Sequence, residues 1–84
     1  MLKKTELRDA ALSWIKNLAS GSKFTYEDVY KFLETTFPAE CSQRGDARNE
    51  PRYKHDARCA VWDAMPQKFG YIKHTGSRGQ RQRI

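Results

Sequence analysis

Eleven residues in the second half of the chain have the types and spacing to hold a polyanion: Arg44, Arg48, Arg52, His55, Arg58, Lys73, Ser77, Arg78, Gln80, Arg81 and Arg83. A guanidinium presents its N–H donors in a fixed fork that fits a phosphate or the O6/N7 edge of guanine, and lysine supplies a point charge. His, Ser and Gln add donors that carry no fixed charge. On a helix, Arg52, His55, Cys59 and Trp62 share one side, with Arg58 on its flank. Lys73, Arg78, Arg81 and Arg83 fall within eleven residues that contain no acid. That density exceeds what an edge strand needs to resist aggregation, and it suits contact with phosphates or a narrow minor groove. Arg44 and Arg48 sit where a loop is expected, as possible phosphate clamps.

Other chemistries fit less well. Cys41, His55, Cys59 and His74 follow a Cys-x13-His-x3-Cys-x14-His spacing, without the close cysteine pair of structural zinc modules. Cys59 and His55 can be imagined as a nucleophile and its base, but no orienting carboxylate is evident. The reading is therefore a binding domain, not an enzyme, with no metal and no other cofactor.

The charge distribution points the same way. The 84-residue chain has a formal net charge of +6. Residues 1–43 balance six basic side chains against six acidic ones, whereas residues 44–84 hold ten basic and four acidic. Clustered charge of one sign concentrates a polymer of the opposite sign; nucleic acid is the commonest, with double-stranded DNA as the expected partner and an anionic membrane surface as the alternative. No apolar run approaches the roughly 18 residues of a membrane span, so no membrane partner is expected. The start, Met1 to Arg8, is already amphipathic and charged, so no signal peptide is expected. Two cysteines make no disulfide framework, which suggests a reducing, cytoplasmic setting.

Positioning these residues requires a fold, and two Trp, four Tyr and four Phe are enough to expect one. Apolar residues at helical spacing predict a first helix over 5–20, capped by Thr5 and ended by Gly21, with Leu7, Ala10, Ala11, Trp14, Ile15 and Leu18 on one face. A second helix over 26–37 starts at the N-cap Thr25, with Asp28 reaching back and a Phe24–Val29 staple, and buries Val29, Phe32, Leu33 and Phe37. Residues 38–50 have no period and read as a loop with room for a short helical turn. A third helix over 50–65, capped near Asn49 or Glu50, turns Tyr53, Ala57, Ala60, Val61 and Ala64 inward before Pro66 stops it. Residues 71–84 read as a β-hairpin turning at Gly76-Ser77-Arg78-Gly79, with Arg81 and Arg83 on the face opposite Gln80, Gln82 and Ile84. Trp62 is expected to be partly covered by this hairpin.

The run Ala60-Val61-Trp62-Asp63-Ala64-Met65, then Phe69-Gly70-Tyr71-Ile72-Lys73-His74, resembles the end of the recognition helix and the first wing strand of the winged helix-turn-helix superfamily. Gly76-Ser77-Arg78-Gly79-Gln80-Arg81 resembles its wing. The resemblance implies one α+β domain over 1–84, with three helices and a C-terminal two-stranded wing, whose third helix reads the major groove. Two features depart from it: the long 38–50 loop and Pro66. More loosely, the loop and third helix look like DNA-reading modules of restriction, modification or phage proteins. A homodimer or a larger parent protein is compatible with the sequence. The alternatives are a protein-docking winged helix and an RNA-binding module.

Overall fold

A computed structural model describes residues 6–43, 45–47 and 50–84. Helix α1 runs over Glu6–Lys16 and buries Leu7, Ala11 and Ile15 completely, as their i, i+4, i+8 spacing requires. It ends before the expected residue 20. The side chain of Arg83 takes the Lys16 carbonyl from the far end of the chain, which gives the helix C-terminus a cation and closes it there. Gly21, at φ 87°, then turns the backbone into strand β1, Lys23–Thr25. The expected cap residues Thr5 and Asn49 lie outside the described residues.

Helix α2, Tyr26–Thr36, starts as its sequence demands. Thr25 Oγ1 accepts from the Asp28 backbone N–H at 3.4 Å, and the Asp28 carboxylate accepts from the Thr25 N–H at 2.8 Å. Val29, Tyr30 and Leu33 are buried, whereas Phe32 and Phe37 are only half-buried: Phe32 stacks on Trp14, and Phe37 meets Phe32 edge-on. The expected loop is more structured than its sequence suggests. Pro38 opens a short helix α3, Pro38–Gln43, with its ring in the first turn where no N–H is needed. Strand β2, Asp46–Ala47, then pairs antiparallel with β3, Glu50–Pro51.

Helix α4, Arg52–Ala64, holds the centre. Ala57, Ala60 and Ala64 are fully buried, and side chains this small let α1 lie close against it. The two helices are also tied by charge. Arg8 donates from Nε (2.8 Å) and Nη2 (2.6 Å) to Asp63, whose other oxygen takes Lys68 at 3.0 Å. The described chain thus has four helices, one more than expected.

Strands β4, Ile72–His74, and β5, Gln80–Arg83, form the expected hairpin, but the sheet has three strands because β1 joins it. All pairings are antiparallel, in the order β1-β5-β4. Partners across a sheet share a face. One row is Phe24, Arg81 and His74, flanked by Ile72 and Arg83; the other is Lys23, Gln82 and Lys73. Phe24 and Ile72 are buried, so their face looks into the protein and the lysines look out. The architecture is α+β.

Burial alone would raise the Asp63 carboxyl, but hydrogen bonds and charge from Arg8 and Lys68 outweigh it and hold it below the ordinary carboxylate value. A lowered folded-state pKa stabilises the fold above the unfolded value, and this contribution is lost as pH falls from about 4 through the lower folded value. Asp63→Asn should therefore be less stable than the parent by about 1–3 kcal/mol at pH 7. The gap should shrink at acid pH, below about 4, as the parent carboxylate takes up its proton as well. Urea unfolding at both pH values checks this, and a constant gap refutes it.

Candidate nucleic-acid interface

The solvent side of α4 is defined by what it turns inward. Its two acids, Asp56 and Asp63, are 6% and 8% exposed, on the same side as the alanine stripe. The outward side therefore presents Arg52, His55, Arg58, Cys59 and Trp62 without a carboxylate of its own helix. Arg58 is exposed yet oriented: Nε donates to the Tyr30 hydroxyl at 3.1 Å, and Nη2 lies 3.1 Å from a Glu50 oxygen. The bond to Tyr30, partly offset by burial, pushes its guanidinium above the ordinary arginine value, so it stays charged. Lys54 lies over the Tyr30 ring, 5.3 Å from its centroid. His55 Nε2 lies 3.6 Å from Cys59 Sγ, as one helical turn allows. Among the described residues no group of three His, Cys, Asp or Glu side chains could hold a metal, and Cys41 is buried elsewhere.

The hairpin separates its expected contacts into two sets. Ser77 and Arg78 are exposed at the tip, and Lys73 is exposed on the outer face. The tip is stiffened from within: Thr75 Oγ1 donates to Gln80 Oε1 at 2.9 Å and accepts from the Ser77 N–H at 3.3 Å. Gly76 and Gly79, at φ 91° and 75°, supply the left-handed positions the reversal needs. Gln80 is half-buried and held by Thr75.

Arg81 and Arg83 sit on the inward row, because their register partners are Phe24 and Ile72. Arg83 is committed to the fold. Nε and Nη2 donate to the Lys16 carbonyl at 3.2 and 3.1 Å, and Nη1 donates to the carbonyls of Tyr71 and Ile84, each at 3.0 Å. This corrects the expectation that both arginines form a free contact face. Arg81 lies over the Tyr26 ring, with Nη2 on the Tyr26 hydroxyl at 3.1 Å and Nη1 on the Gln80 carbonyl at 2.9 Å. Arg44 and Arg48 lie outside the described residues.

The α4 side and the hairpin meet at Trp62. It is 65% exposed, far more open than expected, and it lines a small cavity with His74 and Arg81. Sequence reasoning missed Lys23, which joins Lys73 on the outer sheet row through their shared neighbour Gln82. Its only signal was a three-residue alternation, Lys23-Phe24-Thr25, too short to stand out. Among the described residues no helix is long and apolar enough to cross a membrane. Comparison with protein-family models, curated proteins and solved structures finds no match.

The two arginines at the ends of the hairpin should separate experimentally. Arg83→Ala should cost about 1–3 kcal/mol, since it removes charged donors from several carbonyls. Arg78→Ala should stay within about 0.5 kcal/mol of the parent, as surface changes usually do. Thermal or denaturant melting of both variants distinguishes the roles, and equal losses would contradict this assignment.

Proposed function

We propose that this chain is a duplex-DNA-binding domain of winged-helix type, with α4 directed at the major groove and the β4–β5 hairpin resting on the backbone as the wing. The observation that carries the reading is the one-sided charge of α4: both of its acids face inward, and Arg52, His55 and Arg58 face out. Thirteen helical residues make a rod about 20 Å long, which a groove about 12 Å wide accepts. Arg52, His55 and Arg58 would meet base edges. Lys73, Ser77 and Arg78, with Lys23 beside them, would meet phosphates and set the register.

The outer sheet face favours duplex over single-stranded RNA. It carries Lys23, Thr25, Lys73, Gln80 and Gln82, with none of the aromatic rings on which unpaired bases stack. A protein-docking role would leave the outward cations without a polyanion, and such a domain would leave heparin and duplex DNA early at about 0.15 M salt.

Fluorescence anisotropy with a random duplex, single-stranded DNA and duplex RNA tests the assignment. The duplex should bind most tightly, with a log–log salt slope between about −3 and −5 for roughly four neutralised phosphates. Lys73→Ala with Arg78→Ala should weaken all duplexes alike and reduce the slope by about 2. Arg52→Ala should instead lower discrimination among sequences by about 1–3 kcal/mol. A flat salt response would sink the proposal.

A further inference from the structure

Arg81 is the feature of the molecule that its own contacts explain least. A guanidinium has five N–H donors, and Arg81 uses two of them, on the Tyr26 hydroxyl and the Gln80 carbonyl. Both acceptors are neutral. The ion pairs among the described residues are Arg8–Asp63, Arg58–Glu50 and Lys68–Asp63, and Arg81 belongs to none of them. Its Nε is buried and has no hydrogen-bond partner among the described residues. A buried donor left without an acceptor is unfavourable, and a half-buried cation without a counter-ion attracts an anion.

The cavity beside it has the complementary chemistry. It measures about 80 Å³ and is lined by Tyr26, Val61, Trp62, Met65, Gln67, His74 and Arg81. Roughly 10–15 Å³ suffices for one water, so this space takes a group with several oxygens. The lining contains no carboxylate. It offers the Arg81 guanidinium, the His74 ring, the Gln67 amide and the Trp62 indole N–H as potential donors, between apolar walls of Val61 and Met65. His74 and Arg81 are register partners on the inward sheet face, so the hairpin itself holds these two side by side. Trp62 is at once part of the lining and part of the outward side of α4, which places the cavity next to the proposed DNA-facing surface.

We propose that this cavity between α4 and the hairpin is an anion site that seats one phosphate group, held by the Arg81 fork with His74 and Gln67. Its source, resting on the DNA-binding reading, is a backbone phosphate of the duplex. The guanidinium is prearranged: Tyr26 and Gln80 fix its plane, so little rotamer freedom remains to be lost on binding.

Two arms test the site and its source separately. In the first, inorganic phosphate is titrated into ¹⁵N-labelled protein, with chloride at matched ionic strength as control. The Trp62 indole and Arg81 Nε–H resonances should shift saturably, while the Trp14 indole stays put. Arg81→Gln should abolish the shifts, and His74→Ala, at an exposed position, should weaken them severalfold with the fold intact. Absence of saturable shifts in the parent, or equal shifts in chloride, overturns the site whether or not DNA binds. In the second arm, Arg81→Gln and His74→Ala are compared with the parent on duplex DNA. Losses of about tenfold and threefold, with a salt slope shallower by about 1 for Arg81→Gln, assign the source to the backbone. Saturable phosphate shifts with unchanged duplex affinity overturn the backbone as source and leave free phosphate as the ligand. If the parent binds no duplex at all, the DNA reading fails while the first arm still decides the site.

Discussion

The end of α4 is the joint on which the arrangement depends, and the Asp63 carboxylate is its fastener. One oxygen takes the Arg8 guanidinium from α1, and the other takes Lys68 from the segment leading into the sheet. The backbone repeats the link. Phe69, Gly70 and Tyr71 donate to the carbonyls of Asp63, Met65 and Ala64, so the chain folds back over the helix end it has just left. Pro66 makes this necessary, since the helix cannot continue through it. The hairpin therefore leaves α4 in one direction, and every statement about a surface shared by helix and hairpin rests on that direction.

The same joint sorts the positive charge. The excess in residues 44–84 suggests a uniformly cationic rear half, but the fold spends part of it internally. Lys68 neutralises Asp63, and Arg83 closes the C-terminus of α1. Arg83 and the buried acids show why net charge is a poor map of a surface: a guanidinium with four carbonyl contacts has little left to give a partner. Among the described residues, Arg52, Arg58, Lys73 and Arg78 are cations that stay outward, and they lie on elements joined by that turn.

What could be read in advance was whatever depends on neighbours in sequence. The stripes of α1 and α4, the Thr25–Asp28 box and the double-glycine turn are local, and each appears where its residues demand it. Alternation in Gln80-Arg81-Gln82-Arg83 correctly separated two faces, but no local rule says which face is inner. That was decided by Phe24, more than fifty positions away, pairing with Arg81. Strand β1 has three residues and β2 and β3 have two each, too few for a period. The Arg8–Asp63 contact spans 55 positions and left no trace in either segment. The candidate site was thus legible as a list of residue types and illegible as a selection among them.

That selection bears on how the proposed interface would divide its work. Arg58 is held by Tyr30 and shares its charge with Glu50, a carboxylate that would repel a nearby phosphate. An oriented guanidinium loses less rotamer freedom on forming a bidentate contact, and bidentate contacts are how arginine recognises guanine. Arg78 is the reverse case: its side chain is exposed to water at a tip whose backbone is braced by Thr75. A cation held only by its own chain suits a contact that must follow a backbone whatever its sequence. On these grounds Arg58 is the better candidate for discrimination and Arg78 for affinity, a division that follows from how each side chain is held and not from how many there are.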